Sequence, residues 1–307
     1  MAGEERGLPR GLLALMVDLL ITGGAGFVGG NLARLLAPRM VTVVADWQTP
    51  PPADLEVPSV EMDVRDFERV RAVLAQVRPR TVIHAAGNKN VRDCERRPEE
   101  AFRTNATGTR NVARACRDVG AHLLYLSTDL VFDCQRGDYG EDDVPHPTLA
   151  YGATKLQGEL FALEECPDAA VCRSGGIYGP RSPLLAWLRG ELIARRNVEA
   201  FTDVCNSPTY VGSLAEMMEA VARRRLGGVF HMVGRERTSR YDFFRAFAET
   251  FDLDASLLSA VAAGPRRHEM LLQPDASLRC ARTNAALAIG ALSAREGLGR
   301  LRANGGV

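Results

Sequence analysis

Lysine is almost absent from this 307-residue chain: of its 38 basic residues only Lys89 and Lys155 are lysines, and the rest are arginines. A compact ammonium and a broad, permanently charged guanidinium are not interchangeable, so each lysine in an arginine-using chain needs a reason. A net charge is also missing, since 38 acids balance 38 bases. That balance removes the electrostatic case for nucleic acid or an anionic membrane as the main partner. The seven cysteines show no CxxC spacing and the five histidines no HExxH pair. A reduced, cytoplasmic protein without a disulfide frame or a metal centre is therefore expected. No uninterrupted apolar run approaches ~18 residues, so no membrane-spanning helix is expected. The apolar start over residues 11–21 could imitate an export signal, but Asp18 interrupts it. Length and a 46% hydrophobic content allow a full core and point to about two structural units.

What is present is an alternation of strands and helices. Residues 17–21 form an apolar run of strand type, followed by a GxxGxxG turn with Gly23, Gly26 and Gly29, and then by a helical pattern to residue 37 that Phe27 and Val28 open. Strand, glycine turn and helix make a phosphate cradle, because bare backbone lets a pyrophosphate approach and the helix N-terminus offers free N–H groups. A second strand, 40–45, ends in Asp46 about 20 residues later. An acid there accepts bonds from adenosine ribose hydroxyls and repels a 2′-phosphate, which favours NAD(H) and leaves NADP(H) open. A third strand, 59–62, closes on Asp63 and Val64, candidate adenine contacts. A helix over 66–77 follows, then a fourth strand, 81–84, ending in Ala85, Ala86 and Gly87. A long helix over 98–119 contains Asn105, and a fifth strand, 121–126, runs into Ser127, Thr128 and Asp129. Alternation of this kind implies a Rossmann-type, doubly wound parallel sheet with ligands beyond the carboxyl ends of its strands. The expected organisation is a loose extension over 1–16, a dinucleotide-binding domain over 17–173, and a smaller C-terminal α/β substrate-binding lobe over 174–307, with segments of the two interleaved. Helical patterns at 212–225 and 240–251 pack that lobe.

The stretch Tyr151, Gly152, Ala153, Thr154, Lys155 carries the chemistry. Four-residue spacing on a helix stacks the phenol and the ammonium on one face. A neighbouring ammonium favours the phenolate and pulls the phenol from pKa ~10 toward the range where a proton donor works best. A hydroxyl at the end of the fifth strand, Thr128, can donate to the same substrate oxygen, although hydroxyls at such places also cap turns.

TGGAGFVG, an acid after the second strand, HAAG, Thr128 and YGATK together resemble the extended short-chain dehydrogenase/reductases over roughly residues 17–180. STDLVFD, YGATKLQGE, RSGGIYGP, DVCNSPTYVGSLAE and QPDASL look like the dTDP-4-dehydrorhamnose reductase branch and extend the match nearly to the C-terminus. The resemblance implies that Tyr151 protonates a carbonyl oxygen, that Lys155 holds the nicotinamide ribose and lowers the Tyr151 pKa, and that Thr128 orients the substrate oxygen. It places Gly176 beside the cofactor, and Asp129, Asn206 and Tyr210 beside the sugar. Leu130 stands where the related dehydratases carry a second acid, which disfavours elimination of water. Gly176 replaces a tryptophan usual in the branch, so the sugar pocket should differ in shape. Lys89, in HAAGNKNVRDCERRPEEAFRTN, resembles a lysine of a separate dehydratase group and is either a substrate contact or a solvated loop residue. Residues 174–307 hold 18 arginines against 13 acids. Arg235, Arg237, Arg266 and Arg267 could meet a diphosphate or simply be solvated.

The implied activity is NAD(P)H-dependent reduction of a 4-keto group on a nucleotide-activated deoxysugar. Two alternatives stay open. One is a nucleotide-sugar 4-epimerase, which keeps its NAD bound; the other is a non-catalytic regulatory subunit resembling methionine adenosyltransferase beta. The helices bearing Asn105 and Tyr151 could pair in a homodimer.

Overall fold

Leu19, Leu20, Ile21 and Thr22 are all buried, and a run with no exposed face suits a strand covered on both sides. In the computed structural model, which describes residues 16–47 and 49–307, this run is β1 (Leu19–Thr22). It is followed by α1 (Phe27–Leu36), β2 (Thr42–Asp46), β3 (Ser59–Glu61), α2 (Phe67–Val77) and β4 (Thr81–His84). Next come α3 (Val91–Arg96), α4 (Pro98–Phe102), α5 (Gly108–Val119), β5 (His122–Thr128), α6 (Ala150–Glu165) and β6 (Ala170–Ser174), and β7 (Gly228–His231) enters much later. The extension expected over 1–16 lies, Met16 apart, outside the described residues.

The seven strands stand in the order β7-β6-β5-β4-β1-β2-β3. β1 runs parallel to both β2 and β4, with Leu20 opposite Val43 on one side and Val82 on the other; β3 extends the sheet from β2 and β5 from β4, again parallel. The order reverses between β1 and β4. This is the doubly wound α/β arrangement expected, and a ligand crevice lies outside the carboxyl ends of strands at such a reversal. Local signals set the helix ends. The Asp66 carboxylate accepts the Arg69 N–H to start α2, and Arg78 ends it in the left-handed conformation. α1 starts at Gly26 without a side-chain cap, which leaves its first N–H groups to an anion.

The described residues divide into two units. The first takes those up to Ser127 together with Leu149–Cys172 and Met218–Val229. Its core joins Leu20, Val43 and Val82 of the sheet to Val70, Leu74, Val112 and Cys116 of α2 and α5. The second takes Thr128–Thr148, Arg173–Met217 and Phe230–Val307. Within it, short ladders pair Thr209–Tyr210 with Ile177–Tyr178, Leu258–Val261 with Val198–Phe201, and Thr238–Ser239 with Cys205–Asn206. Tyr178 packs against Tyr210 and Phe243 there.

Two features depart from the sequence reading. Residues 98–119 are not one α-helix, because a π turn, Arg103–Thr107, separates α4 from α5. Asn105 explains the wide turn. Its amide donates to the Asn88 carbonyl and the Thr154 hydroxyl, both at 3.0 Å, and its side-chain oxygen accepts the Asn88 N–H at 2.7 Å. Such bulges gather at functional sites, and apolar periodicity carries no trace of one extra residue. α3 also went unread; Asn90 caps it by accepting the Asp93 N–H.

α6 packs closely on β5 at Gly158. A Cβ there would lie 2.3 Å from the Tyr125 hydroxyl oxygen and 2.9 Å from the Asn105 carbonyl oxygen. Gly158→Ala is expected to cost about 1–3 kcal/mol, the usual range for overpacking. A lower urea midpoint at unchanged m-value would register it; an unchanged midpoint would mean that α6 is free to move outward.

Candidate active site

The glycine turn is shaped for a close backbone approach. Gly23 has φ +72°, and a Cβ on it would lie 2.8 Å from the Ala86 backbone; a Cβ on Gly29 would lie 2.2 Å from the Gly23 carbonyl oxygen. The turn therefore rests on Ala85 and Ala86, while Gly26, Phe27 and Val28 form the open start of α1. Asp46, at the end of β2, is tied to the same turn. Its Oδ2 accepts the Ala25 N–H at 2.7 Å and its Oδ1 the Trp47 N–H at 2.8 Å. Burial raises the Asp46 pKa against the pull of those two donors. Asp63 holds Arg65 through both carboxylate oxygens, at 2.7–3.1 Å, and the Arg65 guanidinium lies 4.0 Å over the Trp47 ring. Val64 is buried under Gly108, and its carbonyl accepts the Asn111 amide at 2.9 Å. A Cβ at Gly87 would lie 2.9 Å from Asn105 Oδ1, so Gly87 and Asn105 share one small space. Lys89 is exposed, with its ammonium 5.9 Å from the centroid of the Phe27 ring.

Tyr151 and Lys155 stand on the first turns of α6, as the spacing requires. Tyr151 is half-buried and Lys155 buried. The Lys155 ammonium lies 4.1 Å from the centroid of the Tyr125 ring. Burial lowers its pKa from the ordinary lysine range to about 7, with Glu159 opposing the fall. Ser127 donates to Glu159 Oε1 at 2.5 Å. His84, at the end of β4, lies between Thr22 Oγ1 at 2.7 Å and Thr109 Oγ1 at 3.1 Å, and burial lowers its pKa to about 3.

In the second unit, the Thr128 hydroxyl accepts the Leu130 N–H at 3.2 Å and donates to Asp129 Oδ1 at 2.9 Å. Asp129 is buried, which raises its pKa to about 7. Its other oxygen fills the space beside Gly175, where a Cβ would lie 1.9 Å away. Gly176, at φ +54°, lies against Asn206 in the same way, 2.7 Å from its amide nitrogen. Tyr210 does not share that setting: it is buried against Tyr178 and accepts the Asn304 amide at 3.3 Å. Arg235, Arg237, Arg266 and Arg267 are each paired with a carboxylate, those of Glu296, Asp275, Glu199 and Asp203. Among the described residues no cluster of three His, Cys, Asp or Glu could hold a metal ion.

A family model described as the RmlD substrate binding domain matches residues 17–304. The chain belongs to this family. Among relatives of this RmlD-family chain, the dTDP-4-dehydrorhamnose reductase of Mycolicibacterium smegmatis is 34% identical, over 77% of this chain and 70% of its own length. The methionine adenosyltransferase 2 subunit beta of Xenopus laevis is 31% identical over 66% of this chain, and the match spans 64% of that protein. A solved dTDP-4-dehydrorhamnose reductase from Bacillus anthracis in complex with NADP superposes with a TM-score of 0.81 at 24% identity, covering 94% of this chain and 100% of its own, and so shares the fold.

The sequence reading of this RmlD-family chain passed over Glu159 and His84. Glu159 was within reach, since one more step of four residues beyond Tyr151 and Lys155 arrives at it. His84 opens the HAAG stretch, of which only Ala85, Ala86 and Gly87 were singled out.

Asp129 yields a test. Its folded pKa is raised to about 7, so between the ordinary carboxylate value and that point the folded state binds the extra proton, and stability falls as pH rises through the window. Asp129→Asn, neutral throughout, is expected to gain on the wild type by about 1.4 kcal/mol for each pKa unit expressed. Urea unfolding at pH ~5 and ~8 checks this, with the larger gain due at the higher pH. Equal differences at both values would refute it.

Proposed function

We propose that the chain reduces a 4-keto group on a nucleotide-activated deoxysugar, as a dTDP-4-dehydrorhamnose reductase does, with NADH as the preferred reductant. The observation that carries this reading is the buried Lys155 one helical turn beyond Tyr151, together with the glycine turn and the uncapped start of α1. The reductase relative adds support.

A bound reduced nicotinamide supplies the hydride. Tyr151 gives its phenol proton to the carbonyl oxygen. Lys155 stabilises the phenolate left behind and would hold the nicotinamide ribose, and Thr128 orients the substrate oxygen. Gly23, Gly26, Gly29 and the first N–H groups at Phe27 and Val28 would hold a pyrophosphate. Asp46 would take the adenosine ribose, Asp63 and Val64 the adenine, and Ala85, Ala86, Gly87, Asn105, Ser127 and Gly176 would line the remainder of the cofactor site. Lys89, Asp129 and Asn206 are assigned to the sugar side. Leu130 carries no proton, which argues against dehydration.

The Asp46 carboxylate, turned toward the glycine turn by the Ala25 N–H, supports NADH over NADPH. A like-charge contact near a protein surface costs on the order of 1–4 kcal/mol, so NADH is expected to bind at least about fivefold tighter. Fluorescence titration with both nucleotides decides it, and tighter NADPH binding would overturn the preference. Phe102 and Leu160, exposed on α4 and α6, support a homodimer paired through the helices around Asn105 and Tyr151. No helix of the described residues is long and apolar enough to cross a membrane.

The methionine adenosyltransferase subunit relative favours a second reading, a non-catalytic partner of a synthetase. Turnover separates the two. Tyr151→Phe is expected to lower NADH oxidation with nucleotide 4-keto sugars at least about 100-fold, the low end for losing a general acid, while NADH still binds. Equal turnover in the mutant would refute the assigned role. Absence of any turnover, with co-purification of a synthetase, would establish the second reading.

A further inference from the structure

Tyr151, Lys155 and Glu159 follow one another at four-residue spacing along α6, so their side chains share a helix face. Glu159 is only 2% exposed, and a glutamate is almost never buried to that degree without a compensating partner. Its Oε1 accepts the Ser127 hydroxyl at 2.5 Å, which fixes the carboxylate. The buried ammonium of Lys155 is a cation whose pKa its field raises.

The titratable and charged groups that face Lys155 can be named element by element. They are Tyr151 and Glu159 on α6, Tyr125 on β5 and His84 on β4. The other polar neighbours of that phenol and imidazole are Thr22, Thr109 and the Asn105 and Lys155 carbonyls, none of which carries charge. His84 is neutral, because Thr109 Oγ1 donates to the Asn105 carbonyl at 2.6 Å and must accept from Nε2–H, leaving Nδ1 to accept from Thr22. Burial raises the Tyr125 pKa well above the ordinary phenol range, so that ring carries no charge. Glu159 is the carboxylate of this set.

We propose that Glu159 is a positioning residue for the reduction: its buried carboxylate, anchored by Ser127, keeps the Lys155 side chain charged and so keeps Tyr151 a competent proton donor. This rests on the reading of Tyr151 and Lys155 given above. Burial alone drives a lysine toward its neutral form, and a neutral Lys155 would return Tyr151 toward an ordinary, weaker phenol. Lys155 stands at about 7 with Glu159 in place, so loss of the carboxylate would leave the amine mostly uncharged at neutral pH.

The chain suits a direct test, because it has two lysines. Protein grown on carbon-13 lysine gives two side-chain resonances, and Lys89→Arg identifies the one that belongs to Lys155. In Glu159→Gln the Lys155 titration midpoint is expected to fall by at least about one unit, a tenfold loss of the charged form at a given pH, the low end for removing a close opposite charge. The alkaline limb of the kcat profile should move to lower pH by the same amount. Glu159→Asp, which keeps the charge but draws it back, should give an intermediate midpoint, and it carries the same test if the glutamine variant does not fold. An unchanged Lys155 midpoint overturns the proposal even if activity falls. Full turnover in Tyr151→Phe would instead sink the underlying reading, while the lysine midpoint would still report on Glu159.

Discussion

A single lysine buried in a dry interior is the constraint from which much of this molecule follows. The chain uses arginine nearly everywhere, yet a guanidinium stays charged whatever surrounds it and would not respond to burial. Lysine is compact and can be moved to about 7 by burial. The neighbours of Lys155 are arranged around that fact. β5 supplies a ring under the charge and a hydroxyl that fixes Glu159, and Gly158 lets α6 come close enough for both.

A chain of hydrogen bonds links this helix to the glycine turn within the first unit. The Thr22 hydroxyl, at the end of β1, accepts the Ala86 N–H and donates to His84; His84 donates to Thr109, and Thr109 to the Asn105 carbonyl. Asn105 in turn donates to Thr154, which lies between Tyr151 and Lys155 in sequence. Buried polar networks that are fully satisfied rigidify their surroundings. The glycine turn and the Tyr151 helix are therefore set by one connected structure, and the side chains that connect them are all polar.

Much of this was legible in the sequence and some was not, for physical reasons. The alternation of strands and helices, the Asp46 position and the Tyr151 helix are local signals, set by periodicity, glycine placement and a four-residue spacing. The doubly wound order followed from the same alternation and the handedness of crossovers. The π turn at Arg103–Thr107 was read as plain helix, because its cause is the Asn105 amide reaching Asn88 and Thr154, contacts that no window of apolar periodicity contains. Tyr210, read as a sugar contact from its motif, is buried against Tyr178, a packing that the motif does not convey. Lys89 was singled out by its rarity and by a resemblance to a lysine of a separate dehydratase group, and it lies exposed near Phe27.

The wide turn also has a consequence for the length of the chain. A helical segment that accommodates one residue more than an α-helix needs is sensitive to deletion in a way that substitution does not reveal. Loss of any one residue between Arg103 and Thr107 would let α4 run on into α5 in unbroken register. Side chains on one side of the gap would then turn by about 100° relative to the other, one residue's worth of a 3.6-residue turn. Asn105 could not keep its hold on both the Asn88 loop and Thr154, so the residue count of this segment is itself part of the site's specification.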